Sequence, residues 1–311
     1  MRTPLVLDPF PLSELRPDPS EQVVRREISD IEHLRWRDLI RRFCGIDYPR
    51  ERVRHLRDSL LLAMRRRAIT SYDEYYQFVL RDRQGPAEIL SLLDHLLNHQ
   101  TSFFRHRPSF ETLRGRVLPE LLRQRPRPQA EPLRFWSAGC SSGQEPYSLA
   151  MICRELLVPQ THEAQLIGTD IGPRILRRAH AGIYRTFELG QLPDSYCRKY
   201  LETVETESGP AYSIRPEIRA MTWFTFTNLA DPTSFPKDQF DVIFCQNVLI
   251  YFHPDDRPQV VEALCGRLKI GGFLFLGPAE VVGLRRPGIQ LYSAEQVLIY
   301  RKVGDTTDSS A

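Results

Sequence analysis

The sequence predicts an α/β protein, a Rossmann-like doubly wound sheet preceded by a small all-helical domain and interrupted by a small β insertion. Three observations carry this. Short apolar runs at 133–138, 165–169, 240–245 and 272–276 alternate with helix-like segments at 146–157, 174–181 and 257–268, the rhythm of parallel strands joined by crossover helices. The preceding residues show helical periodicity only. Residues 187–222 break the strand–helix alternation, as an inserted β unit would.

The elements follow in order. Residues 1–25 carry Pro4, Pro9, Pro11, Pro17 and Pro19 without periodicity and read as a disordered tail. A helical domain is expected over 26–122. Its first helix begins near Asp30, with Ile31, Leu34, Leu39, Ile40 and Phe43 at three- and four-residue steps and Gly45 placed to stop it. A second helix is expected from Pro49 to Arg67. Ser71 and Glu74 have capping-box spacing for a third, in which hydroxyl and carboxylate each satisfy an unpaired backbone N–H. Pro86 suits the first turn of a fourth, with Leu90, Leu93, Leu96 and Leu97 inward, and Pro108 the start of a fifth. Residues 123–132 form the linker, because prolines among polar residues cannot continue a helix. The α/β domain then spans 133–303, with the insertion at 187–222 and a tail at 304–311.

Composition narrows the function class. With 311 residues, 41% hydrophobic and 26% charged, the chain resembles a soluble protein of two compact units. No run approaches a membrane span and no signal peptide is evident, so a cytoplasmic location without membrane insertion is expected. Six separated cysteines without a Cys-x-x-Cys pair fit reduced thiols, and Cys245 reads as a buried structural thiol. Residues 1–130 hold 24 Arg and no Lys against 18 acids, while the remainder has a slight acidic excess. That asymmetry fits an acidic partner for the front half, and equally a solvated helix face.

The first strand runs into Ser137, Ala138, Gly139, Cys140, Ser141, Ser142, Gly143, Gln144 and Glu145. Small residues between strand and helix let a ligand approach the backbone at the carboxyl edge of a sheet. Asp170 falls 27 residues after Gly143, where a carboxylate binds ribose hydroxyls. Neither the Gly-Lys-Ser/Thr phosphate loop nor Gly-x-Gly-x-x-Gly is present, and Glu145 near the helix start would repel a pyrophosphate but suit a cation. S-adenosylmethionine, with a sulfonium and an ammonium and no phosphate, fits that chemistry better than NAD.

The combination of motifs resembles the CheR-type chemotaxis receptor methyltransferases over about residues 30–300. The pieces that carry it are Thr-Ser-Phe-Phe-Arg at 101–105, the loop through Ser148, Gly-Thr-Asp-Ile at 168–171 and Ala-Gly-Ile-Tyr at 181–184. Asn228-Leu229, Phe240 through Phe252 and Leu268 through Gly277 complete it. The resemblance implies a class I fold and a protein-glutamate O-methyltransferase that turns S-adenosylmethionine into S-adenosylhomocysteine. It implies donor contacts from Thr101, Arg105, Glu145, Asp170, Asn228, Leu229, Gln246 and Asn247, with Asp170 on the ribose and Glu145 at the positive end. Arg105 and Tyr251 would face the reacting centre. It further implies that the helical domain lies on the cytoplasmic helical domain of chemoreceptors, and that the β insertion can grip a receptor tail peptide.

Three departures accompany the match. His99 stands where the family has Asn; its ring can still offer one donor or acceptor, so a donor contact is expected in altered form. Gln246 stands where the family has Arg, removing a charge near the donor. Ser59, Leu62 and Ala63 fall around positions that carry receptor-facing arginines, while Arg50, Arg52, Arg54, Arg57 and Arg65 to Arg67 remain. A donor-binding signalling module and a methyltransferase for another substrate are the alternatives. Among the latter, a nucleic-acid enzyme would need to flip and stack its base, and the Asn-Pro-Pro-aromatic motif of adenine methylation is absent, so no nucleic-acid partner is expected. His95 and His99 share a helical spacing but lack a third ligand, so packing rather than metal is expected.

Overall fold

The computed structural model describes residues 27–124, 131–157, 163–278, 280, 286–294 and 297–304. The expected tail at 1–25, the middle of the expected linker at 125–130 and the chain from 305 onward lie outside these residues.

Helix α1 (Asp30–Cys44) starts where Ser29 and Glu32 cap one another, and it stops at Gly45, whose φ of 73° suits a residue without Cβ. Its inward face is His33, Trp36, Ile40 and Cys44; Ile31 and Leu34, expected inward, are 67% and 56% exposed. The indole sets the rotation, because Trp36 stacks on Tyr75 at 5.4 Å and meets Tyr76 edge-on at 5.3 Å. After a 3-10 turn at Arg50–Arg52 come α2 (Val53–Arg66), α3 (Tyr72–Arg81) and α4 (Gly85–Leu96). Ser71 Oγ accepts from the Glu74 amide at 3.4 Å, the hydroxyl half of the expected capping box. The buried face of α4 is Ile89, Leu92, Leu93 and Leu96, while Leu90 and Leu97 are half-buried. The fifth helix is one continuous stretch of α5 (Arg107–Thr112), a π segment (Leu113–Val117) and α6 (Leu118–Arg123).

The α/β part contains β1 (Leu133–Ala138), α7 (Gln144–Leu156), β2 (Ala164–Asp170) and α8 (Pro173–Ala181). Next come β3 (Ile183–Tyr184), α9 (Thr186–Leu189), α10 (Asp194–Tyr200), β4 (Leu201–Thr206), β5 (Gly209–Ile214) and α11 (Pro216–Arg219). It closes with β6 (Thr222–Phe226), β7 (Phe240–Cys245), α12 (Arg257–Gly266), β8 (Leu268–Leu276), β9 (Ile289–Ala294) and β10 (Val297–Lys302). The seven-stranded sheet has the order β6-β2-β1-β7-β8-β10-β9, parallel except where β10 runs against β8 and β9. This is the Rossmann-like class I arrangement. The insertion is a separate antiparallel sheet, β3-β5-β4, whose first strand precedes the expected start at 187.

Strand order reverses between β1 and β7, so the chains leaving their carboxyl ends diverge and open a crevice. The helical domain covers that crevice. The end of α1 meets the chain after β7 through Asp47 N to Tyr251 O (2.8 Å) and His253 N to Gly45 O (3.2 Å). Arg41 grips Asp256 with both arms at 2.9 and 3.0 Å, and Asn228 Nδ2 donates to the Phe43 carbonyl at 2.6 Å.

Candidate active site

The loop after β1 is shaped by backbone. Gly139 and Gly143 have φ of 85° and 93°, and a Cβ on Gly139 would stand 2.3 Å from Val248 Cγ2. The amides of Gly139 and Cys140 both donate to the Thr169 carbonyl at 2.8 Å, which ties the loop to the end of β2. Asp170 then accepts from the amides of Ser141 (2.8 Å) and Gly172 (3.0 Å). Burial pushes its carboxyl up while those amides pull it down.

Glu145 lies in the first turn of α7 and accepts from Ser137 Oγ at 2.7 Å. Burial, reinforced by the charge of Glu280, pushes its carboxyl up to about 7. No basic side chain lies within ion-pair distance of it among the described residues. A half-buried acid without an ion partner is matched to a cationic ligand.

All ten expected residues line one cavity of about 940 Å³ with an open side: His99, Thr101, Arg105, Glu145, Asp170, Asn228, Leu229, Gln246, Asn247 and Tyr251. They arrive from the end of the helical domain and from the carboxyl ends of β1, β2, β6 and β7. Arg105 is exposed at the rim, its Nη1 donating to the Gln100 carbonyl at 2.7 Å. The guanidinium of Arg52 lies 5.5 Å from the centre of the Tyr251 ring. Gln246 spends both amide hydrogens within the protein, on Ser109 Oγ (2.7 Å) and the Leu276 carbonyl (3.2 Å). Asn228 accepts from Ala230 N at 3.1 Å as well as reaching Phe43. His99 holds the loop through its carbonyl, which accepts from Ser141 Oγ at 2.8 Å. Its ring Nε2 is buried without a hydrogen bond, 4.0 Å from the equally unpartnered Asp94 Oδ1. His95 instead sits 3.0 Å from Arg66 Nη1.

The sequence reading missed three contributions. Cys44 and Ile46 bring the helical domain itself into the wall, and Phe110 comes from α5. Glu280, fully buried, accepts from the backbone of 247–250 and was signalled only by an acid just after the apolar run of β8. The residues present fit the donor expected from the resemblance: a glycine cradle permits close backbone approach, Asp170 is an acceptor that could take hydroxyls, and Glu145 has no ion-pair partner among the described residues.

Comparison with known proteins agrees in extent. The model of the CheR methyltransferase all-alpha domain matches residues 32–97, and that of the CheR methyltransferase SAM binding domain matches residues 99–296. Chemotaxis protein methyltransferase 1 of Pseudomonas aeruginosa is 32% identical over 272 residues, covering 86% of this chain and 96% of its own. Chemotaxis protein methyltransferase 2 of Vibrio cholerae is 33% identical over 256 residues, covering 81% of this chain and 86% of its own.

Proposed function

We propose, since this chain belongs to the CheR methyltransferase family and is an S-adenosylmethionine-dependent methyltransferase, that its acceptor is a glutamate side chain on the cytoplasmic helical domain of a chemoreceptor. What supports the site assignment is one observation: a half-buried Glu145 with no ion-pair partner among the described residues shares a single cavity with Asp170 and with Arg105 at its mouth.

Asp170 holds the ribose hydroxyls and Glu145 neutralises the positive end of the donor. Thr101, Asn228, Leu229, Asn247, Gln246 and His99 complete the donor wall. Gln246 contributes shape there rather than charge, since its amide is committed to Ser109 and Leu276. When bound, S-adenosylmethionine supplies an electrophilic methyl on a sulfonium, whose transfer leaves S-adenosylhomocysteine. A glutamate with an ordinary pKa of about 4.3 is already ionised at neutral pH, so no general base is required. What the chain must supply is alignment and exclusion of water. Arg105 orients the acceptor carboxylate through its planar fork and Tyr251 adds a hydroxyl donor.

The docking face for an acidic receptor helix is the start of α2, where Arg52 and Arg54 are exposed and make no ion pair among the described residues. Arg50, Arg57 and Arg67 are engaged with Asp30, Glu27 and Asp58, and Glu88 respectively. The open edge of β4 offers main-chain groups to a receptor tail peptide. No described helix is long and apolar enough to cross a membrane.

The test is transfer of radiolabelled methyl to the organism's chemoreceptor signalling domains followed by mild alkali. Base-labile label on the receptor is expected. Donor binding by calorimetry with no label on any receptor would overturn the acceptor assignment and leave the donor site standing.

A further inference from the structure

We infer that Glu280 is a positioning residue of the donor site, its buried carboxylate holding the loop that carries Asn247 and Tyr251 in working shape. The inference rests on the donor site proposed above.

The reasoning begins with the backbone at the end of β7. After Cys245 the chain must leave the sheet at once, and it does so through Asn247 at φ 60° and a 3-10 turn at Leu249–Tyr251. A turn of this kind points several successive N–H groups to one side, away from any strand partner, and buried amides need acceptors. Glu280 supplies them all. Its Oε2 accepts from Asn247 N (3.0 Å) and Gly277 N (2.7 Å). Its Oε1 accepts from Val248 N (2.6 Å), Leu249 N (2.6 Å) and, more distantly, Ile250 N (3.4 Å).

Gly277 follows β8, whose Leu276 pairs with Cys245, so one carboxylate ties two neighbouring strand ends together. Gly277 also makes the room: a Cβ there would stand 2.5 Å from Glu280 Oε2. All five hydrogen-bond partners of the carboxylate are N–H donors, which favour the ionised form with acceptors at both oxygens, while burial pushes the carboxyl up. The tied loop is a wall of the cavity, since Gln246, Asn247, Val248 and Tyr251 all line it. It also carries the docking of the helical domain, because the Tyr251 carbonyl accepts from Asp47 N. An acid outside the cavity lining thereby sets the position of residues that form it.

The test compares Glu280→Gln and Glu280→Ala with wild type, all shown folded by circular dichroism and assayed well below their melting temperatures. A merely structural role lowers the melting temperature alone. A positioning role weakens S-adenosylhomocysteine binding by about tenfold in Glu280→Gln, the difference between charge-assisted and neutral hydrogen bonds. It lowers kcat as well. In Glu280→Ala, formate is expected to enter the vacated nest and restore part of the lost affinity. Glu280→Gln keeps size and one acceptor oxygen, so it decides the matter where Glu280→Ala does not fold. Wild-type affinity and kcat in Glu280→Gln overturn the inference, whatever happens to its melting temperature. Asp170→Ala separates the two readings: if it abolishes binding while Glu280→Gln does not, only the inference falls. If Asp170→Ala also binds normally, the donor lies elsewhere and both fall.

Discussion

Glu145 should make donor binding depend on pH, and the size of the effect follows from its surroundings. Its carboxyl stands at about 7 because burial opposes the charge; the Ser137 hydroxyl and the more distant Arg105 recover only part of that loss. A cationic ligand binds the ionised form, so below that value binding must first expel a proton. The ionised fraction is roughly one in eleven at about pH 6 and ten in eleven at about pH 8, so affinity for S-adenosylmethionine rises roughly tenfold between them. Calorimetry in buffers of different ionisation enthalpy reads this directly: nearly one proton released per donor at the acid end, nearly none at the alkaline end. Glu145→Gln should bind weakly and without the slope. A flat wild-type profile, or an unchanged slope in Glu145→Gln, would refute the reasoning.

The same shift has a stability counterpart. A carboxyl raised on folding binds its proton more tightly in the folded chain, so its contribution is full below the unfolded value and is lost as pH rises through the folded one. Between 4.5 and about 7 this amounts to up to about 3 kcal/mol in the empty protein. Urea unfolding should therefore show Glu145→Gln gaining on wild type by up to that amount as pH rises through this window, which is stability gained by giving up a binding function.

Three further outcomes are expected. Arg105→Ala should lower kcat/KM for receptor about hundredfold, because the carboxylate loses its orienting fork; normal turnover in a methyl-transfer assay would remove Arg105 from its role. Gly139→Ala should destabilise the chain by about 2 kcal/mol and weaken donor binding, since a left-handed φ and the Val248 methyl both oppose a Cβ; thermal unfolding and calorimetry check it. Glu88→Ala strips Tyr75 Oη and both arms of Arg67 of their shared buried acceptor, and should cost about 3 kcal/mol in urea unfolding while leaving donor affinity unchanged.

How much was legible beforehand depended on whether a residue's partner was near it in sequence. The strands β1, β2, β7 and β8 announce themselves because parallel strands buried on both faces are apolar runs. The edge strand β6 is not named by the sequence reading, whose insertion ends at its first residue, because it is mostly exposed and its pairing partner lies more than 50 positions away. The hairpin β9–β10 escaped for a related reason: it runs antiparallel at the sheet's far edge, with Leu291 exposed. The rotation of α1 was set by Tyr75 and Tyr76, which no local pattern connects to Trp36. The cavity residues were nameable because they sit in dense motifs, at strand ends or, for 99–105, in the segment between α4 and α5. Glu280 was not, since its five amide partners lie on two other loop ends and only the fold unites them.

That fold also fixes the charge balance of the site, from which a last expectation follows. Glu145, Asp170 and Glu280 are acids at or behind the cavity wall, and Gln246 brings no positive charge where the resemblance leads one to expect an arginine. Among the described residues, Arg105 at the rim is the one Arg or Lys side chain lining the cavity. A wall of this sign favours a sulfonium and repels the acceptor carboxylate, so the acceptor depends on the donor's own charge more than it would in a relative that keeps the arginine. With an effective dielectric of about 40 and about 5 Å between charges, one unit charge is worth about 1.7 kcal/mol, or more than tenfold in affinity. The receptor domain should therefore bind at least several-fold more tightly to protein loaded with sinefungin, which carries an ammonium in place of the sulfonium, than to protein loaded with S-adenosylhomocysteine. Restoring the basic group with Gln246→Arg should shrink that difference. Equal receptor affinities in the two loaded forms would mean that the donor's charge does not reach the acceptor, and that the missing arginine is electrostatically silent.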